Sequence, residues 1–196
     1  MNGLPFSQAC ENNKAPILER LQVALRDAKR VLEIGSGTAQ HATWFAAALA
    51  HLVWQPTELP QHLAVTIPRC RAYAGANLLA PVALDVTQRP WSVAVPDAVY
   101  TANTLHIMGW PAVQSLFAEL GEQRQPGQRL VVYGPFNYGG EFTSESNARF
   151  DALLRARDPA SGIRDFEAVD AMARSAGLAL WEDWAMPANN RLLVWG

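Results

Sequence analysis

The stretch Val31-Leu32-Glu33-Ile34-Gly35-Ser36-Gly37-Thr38-Ala39-Gln40 decides the fold. A short branched apolar run turns through two glycines. It leaves into residues 39–50, rich in alanine with Trp44, Phe45 and Leu49 as larger apolar groups. That pattern reads as buried strand, loop and helix. Gly35 can take dihedrals closed to other residues, and Gly37 lets a ligand approach the backbone with no Cβ in the way. The physics suits a nucleotide-like cofactor in the crevice of a doubly wound sheet. A plain structural tight turn is the competing reading.

Outward from this unit the alternation continues. Apolar positions at Ile17, Leu18, Leu21, Ala24, Leu25 and Ala28 predict a helix over 17–28, with Pro16 in its first turn. A strand is expected at 52–55, ending at Pro56. A weak helix follows over 60–72, bent or ended by Pro68. Strands are expected at 82–84, 97–102 and 129–133, with a helix between Pro111 and Gly121. Helices over 142–156 and 166–176 follow, the first using Phe142, Phe150, Leu153 and Leu154. The runs 178–185 and 191–195, joined by MPANN, form an antiparallel pair at a sheet edge. Strands alternating with helices argue a parallel sheet covered on both faces.

Composition narrows the classes without choosing among them. The 196 residues suit one compact domain, and 49% hydrophobic against 17% charged residues rules out disorder as the general state. A net charge of -2 gives no reason to expect nucleic acid or acidic lipid as the main partner. Two cysteines, Cys10 and Cys70, and four dispersed histidines offer no zinc spacing, so no metal is expected. The N-terminal MNGLPFSQACENNKAP lacks the look of a leader, and the most apolar window, residues 42–54, is too short to span a bilayer. A soluble cytoplasmic protein is expected.

G-x-G alone does not name a cofactor. The dinucleotide fingerprint wants Gly or Ala where this chain has Gln40, which counts against a nicotinamide-dependent oxidoreductase. The phosphate-binding Gly-Lys-Ser/Thr ending is also missing. Glu33 puts a carboxylate beside the loop, hostile to pyrophosphate but useful to a cationic amino-acid group; S-adenosylmethionine has such a group and no phosphate. Glu58, after the second strand, can hold both ribose hydroxyls or serve as a cap or surface acid. Asp85, after the third, can meet an adenine amino group or cap a turn. Asn103, after the fourth, can contact the methionyl part or substrate, or make an Asn turn.

The chain resembles class I S-adenosylmethionine-dependent methyltransferases. More closely it is similar to the DUF938 (UPF0585) family, which includes the methyltransferase-like 26 proteins. The resemblance rests on NNKAPILERL (12–21), VLEIGSGTAQH (31–41), WQPTE (54–58), LDV (84–86) and TANTLHIMGW (101–110). It continues through the run 133–167 and PANN (187–190). The family's loop usually reads GSGTGQH; here Ala39 stands for its third glycine, a small residue suited to a helix's first turn. The resemblance implies a Rossmann-like α/β fold whose seven-stranded, mostly parallel sheet ends in an antiparallel hairpin. Residues 1–196 would form a single domain, with 134–165 as a substrate-side insertion. It also implies S-adenosyl-L-methionine as cofactor. Glu33, Gly35, Ser36, Gly37 and Gln40 would lie at the methionyl part, Glu58 at the ribose, Asp85 and Val86 at the adenine, and Asn103 near the sulfonium.

The function so implied is methyl transfer to an unidentified small molecule. The alternative is a non-catalytic cofactor-binding module that mediates a protein contact. Asn103, His106 and Tyr133 are the candidate catalytic residues. His106 can accept a proton, or be a histidine hydrogen-bonded at a helix start. Tyr133 can orient the acceptor or pack beside the fifth strand. Asn147 can bind substrate or cap its helix. Arg157 and Arg164 are expected to pair with Asp158 and Asp165 rather than clamp an anion. Asn12, Asn13 and Lys14 form a lid or a frayed helix entry. Trp110 is expected in an apolar pocket, and Trp44 and Trp54 in the core.

Overall fold

The computed structural model describes residues 3–196; Met1 and Asn2, which open the stretch read as lacking a leader, lie outside it. The chain runs α1 (Gln8–Ala24), β1 (Arg30–Ile34), α2 (Gln40–Ala48), β2 (Val53–Glu58), α3 (Leu63–Ala72), β3 (Val82–Ala83), β4 (Ala98–Ala102) and α4 (Trp110–Glu122). It continues with β5 (Arg129–Gly134), β6 (Phe136–Asn137), α5 (Glu145–Arg157), β7 (Arg164–Asp165), α6 (Phe166–Ser175), β8 (Leu180–Met186) and β9 (Asn190–Trp195). Seven strands form one sheet in the order β3-β2-β1-β4-β5-β9-β8. Neighbours from β3 to β5 pair in parallel; β9 is antiparallel to both β5 and β8. This is the Rossmann-like sheet with a C-terminal hairpin that the sequence implied.

Strand alternation divides the core into two layers. Val31, Trp54, Tyr100, Val131 and Val194 face α1 and α2, meeting Ile17, Leu21, Leu25 and Phe45. Leu32, Ile34, Val99, Val132, Leu193 and Trp195 face α4 and α6, meeting Leu116, Phe117, Leu120, Val169 and Ala173. Both faces are covered, which is why β1, β4 and β5 are nearly continuous apolar runs.

Four local expectations are corrected. Helix α1 spans Gln8–Ala24, not 17–28, because Ser7 caps it, accepting from the Cys10 N–H at 3.4 Å, and Pro16 sits inside it. Pro68 likewise lies within α3. Strand β2 passes through Pro56 to Glu58. Trp54 N–H donates to Asn77 O and Leu84 N–H to Glu58 O, so by two-residue alternation Pro56 faces the same neighbouring segment. There Gln55 Nε2 donates to Ala80 O at 2.8 Å, in the place of the donor that proline lacks. Finally, of the apolar residues assigned to α5, only Leu154 is buried; Phe142, Phe150 and Leu153 are exposed. The small parallel pair β6–β7 was not anticipated.

The long segment between β3 and β4 is fastened to α4 by Glu119. Its fully buried carboxylate accepts from Trp91 N–H at 2.9 Å and Arg89 Nε at 3.0 Å. Glu119→Ala leaves that backbone donor buried without a partner and frees the arginine. Destabilisation of about 2–3 kcal/mol is expected in urea denaturation.

Candidate functional site

The carboxyl ends of β1 to β5 open on one cavity of about 1120 Å³. That exceeds the usual range for a single drug-sized ligand. The sheet divides its wall. One half is carried by β1, β2, the residues after β3 and the start of α1; the other by the residues after β4 and β5, by α5 and by the turn 187–190.

The first half begins with the β1–α2 loop. Gly35 (φ 72), Gly37 (φ 52) and Ala39 (φ 58) all take the left-handed conformation. A Cβ at Gly35 would lie 2.6 Å from Thr104 Cγ2, whereas one at Gly37 would meet nothing within 4 Å. Ala39 is therefore not the first-turn helical residue its small size implied. It is a left-handed cap, a conformation that costs an alanine about 1 kcal/mol and a glycine almost none.

Glu33 is 2% exposed and lines the cavity. Its Oε2 accepts from Trp54 Nε1 at 2.9 Å and Ser36 Oγ at 3.0 Å. Among the described residues no cation pairs with it. Burial pushes its pKa up to about 7; the two donors hold it down in part, and the charge of Glu58 raises it further. Glu58, at the end of β2, accepts from Gly37 N–H at 2.7 Å and Leu59 N–H at 2.8 Å. Asp85 Oδ1 accepts from the Thr87 N–H and hydroxyl, so this acid caps a turn while lining the cavity beside Val86.

Gln40 is placed elsewhere. It is not in the cavity wall; its side chain accepts from Ser7 N–H and Thr38 Oγ1 and thereby ties the loop to the start of α1. Asn12 and Asn13, read as a lid or a frayed entry, line the cavity from within α1. Asn13 Oδ1 accepts from His41 Nε2 at 2.7 Å, and Tyr100 OH lies 3.4 Å from His41 Nδ1. Lys14 instead pairs with Glu11 and lies 4.0 Å over the Trp44 ring, which is exposed rather than core.

In the second half Asn103, His106 and Tyr133 come together. Asn103 takes φ 57, and its N–H donates to Tyr133 O at 2.8 Å. A Cβ on Gly134 would lie 3.6 Å from His106 Nδ1 and 4.0 Å from Asn103 Oδ1. His106 is 4% exposed and edge-on to Phe150, with ring centroids 5.4 Å apart. Neither ring nitrogen has a hydrogen-bond partner among the described residues. Burial, reinforced by the Arg164 charge, lowers its pKa to about 4. Burial raises the Tyr133 phenol, with Asn13 and Asn190 opposing in part.

Arg164 does not pair with Asp165. It clamps carbonyls, from Nε to Leu105 O at 3.0 Å and from Nη2 to Ala160 O at 2.8 Å and to Met108 O. No ion pair joins Arg157 to Asp158 among the described residues. The cap of α5 is Ser144, while Asn147 Nδ2 donates to Thr143 Oγ1 at 2.9 Å and Asn189 O at 3.1 Å. Trp110 lies under Arg164, 5.8 Å from its guanidinium carbon, outside the cavity wall.

A family model described as "Protein of unknown function (DUF938)" matches residues 4–196. The chain belongs to the DUF938 family. Solved structures share its fold. An O-methyltransferase family 2 protein from Planctomyces limnophilus, in complex with apigenin, superposes with a TM-score of 0.81 at 14% identity over 95% of this chain and 58% of its own. An O-methyltransferase family protein from Burkholderia thailandensis gives 0.80 at 15% identity over 93% and 55%. Human N-acetylserotonin methyltransferase in complex with SAM gives 0.79 at 12% over 96% and 52%. The DUF938 chain thus spans a little over half the length of these structures.

Several wall residues of this DUF938 protein escaped the sequence reading: Ser7, Cys10, Phe150, Pro187 and Ala188. Phe150 was assigned to a core face. The 187–190 turn was legible as a hairpin connection and as a segment of the family resemblance, not as cavity wall; Ala188 and Asn189 hold left-handed φ of 58 and 56.

The buried Glu33 makes stability depend on pH. Its native pKa of about 7 lies above the ordinary 4.5, so the folded state keeps a proton that the unfolded state releases, and stability falls between those pH values. Glu33→Gln keeps an acceptor for Trp54 without the charge. It is expected to stabilise the protein by about 2 kcal/mol at pH 8 and negligibly at pH 4.5, in denaturation curves at the two pH values.

Proposed function

We propose that this DUF938 protein is a methyltransferase that uses S-adenosyl-L-methionine to methylate a small molecule. The observation that carries the reading is Glu33: a buried carboxylate, without a cation of its own, in the wall of a cavity at the carboxyl ends of parallel strands. A cationic ligand group relieves that situation.

The residues fit the cofactor on other grounds. Glu33, Glu58 and Asp85 line the first half, and among the described residues no lysine or arginine lines any part of the cavity. That charge pattern is hostile to a pyrophosphate and suits a ligand with an ammonium group, ribose hydroxyls and an exocyclic amine. Glu33, Gly35, Ser36 and Gly37 would hold the methionyl part, Glu58 the ribose, and Asp85 and Val86 the adenine. Asn103 would stand near the sulfonium. Gln40 would act from behind the loop, fixing it to α1. The bound cofactor supplies a methyl group already activated by the sulfonium charge. The protein's own work is to align the acceptor, exclude water and receive a proton. His106, neutral above about pH 4, would do the last, with Tyr133 orienting the acceptor. The absence of cationic lining supports a small acceptor over nucleic acid.

Micromolar binding of S-adenosylhomocysteine is expected in calorimetry; a folded protein that does not bind it ends this reading. Because Glu33 must be ionised to meet the ammonium, affinity should rise by up to about tenfold per pH unit below 7 and level off above it. Glu33→Gln should weaken binding by about tenfold or more at pH 8 and abolish that pH dependence. Methyl uptake from labelled cofactor into extracted metabolites separates an enzyme from a binding module.

A further inference from the structure

The second half of the cavity differs in chemistry from the first. Its apolar wall comes from Ile107 and Met108 after β4, Pro135 after β5, Phe150 on α5 and Pro187 in the β8–β9 turn, beside the uncharged polar Asn103, His106 and Tyr133. Among the described residues it contains no lysine, arginine, aspartate or glutamate. The charged side chains nearby are committed elsewhere. Arg164 is spent on the carbonyls of Leu105, Met108 and Ala160. Asp151 accepts from Arg155 Nε and from Ile163 N–H, both at 2.7 Å. Arg191 pairs with Asp183 at 2.7 Å. A carboxylate or phosphate held here finds no countercharge, and an ammonium no carboxylate.

Two of the polar atoms left over serve as hydrogen-bond acceptors. Both Asn147 amide hydrogens are taken, by Thr143 Oγ1 and Asn189 O, which leaves its Oδ1. His106 presents an unbonded ring nitrogen, since at most one of its two carries a proton in the neutral state. Phe150, edge-on to it, and exposed Ile107 both line this half of the cavity.

We infer that the methyl acceptor is an uncharged molecule with a compact apolar body and a hydroxyl group, methylated on oxygen, with His106 taking the hydroxyl proton. This rests on the methyltransferase reading. The acceptor oxygen uses a lone pair to bond the methyl carbon as the carbon–sulfur bond breaks, its electron pair staying on sulfur. The hydroxyl proton passes to His106. As the new bond forms, that hydroxyl becomes a protonated ether, acidic enough to give its proton even to the weakly basic imidazole produced by burial.

Calorimetry on the full chain saturated with S-adenosylhomocysteine tests this with three probes of one shape: 2-naphthol, 2-naphthoate and 2-naphthylmethylammonium. The naphthol is expected to bind at least about tenfold tighter than either ion. His106→Phe should weaken naphthol about fivefold to tenfold and leave naphthalene unchanged. Ser146→Lys, an exposed substitution in the wall, should improve naphthoate binding about tenfold at unaltered S-adenosylhomocysteine affinity. With S-adenosylmethionine supplied, 2-methoxynaphthalene is the expected product by mass spectrometry. An ion bound as tightly as the naphthol, naphthol affinity indifferent to His106→Phe, or no binding by any probe overturns the inference and leaves the cofactor reading intact. Failure to bind S-adenosylhomocysteine overturns both.

Discussion

One buried carboxylate ties the architecture together. Glu33 stands at the point where β1 stops being sheet and becomes loop, and its hydrogen bonds reach both ways. Trp54 donates to it from β2 and Ser36 from the loop. The Glu33 carbonyl in turn accepts from Thr57 Oγ1 at 2.7 Å, and Ser36 N–H donates to Thr57 O at 2.9 Å. The loop is therefore stitched to β2 along its first turn. A carboxylate left without a cation in such a place opposes folding at neutral pH. The strand pairings and the two apolar layers around it must more than offset that opposition. Stability is given up at a position in the cavity wall.

Much of this was legible in the sequence because local signals agreed with the global fold. The strand–glycine–helix unit at 31–40, the apolar strands 97–102 and 129–133, and the terminal pair all follow from periods and punctuation. Two of the departures turn on side-chain hydrogen bonds to partners distant in sequence. Pro56 looked like the end of a strand because it lacks a donor, but Gln55 provides one. The entry to α1 looked frayed because Asn12 and Asn13 are polar, yet Asn13 is buried against His41. Pairings between residues distant in sequence leave no trace in a window of eleven or fifteen residues.

Side-chain roles were harder to read than elements. The meeting of Glu33, Gly37 and Glu58 in one cavity wall was legible because topology alone brings the ends of β1 and β2 side by side. Arg164 was not, since nothing in Arg-Asp distinguishes a guanidinium that pairs with its neighbour from one that grips three carbonyls. Phe150 misled for the opposite reason. Its spacing from Leu153 and Leu154 is that of a core-facing helix, but α5 lies over the mouth of a cavity, and an apolar rim carries the same pattern as an apolar core.

The split in the cavity wall has an evolutionary consequence. The three acids of the first half fall between residues 33 and 85, whereas most of the second half comes from residues 103–109 and 133–190. Strand β5 delivers the chain to α5, and Asn147 couples that helix to the hairpin turn through the Asn189 carbonyl. Mutations along α5 can therefore accumulate without disturbing the loop at 35–39 or its partners in β2. Descendants of this scaffold are free to diverge in the second half of the wall while inheriting the first intact.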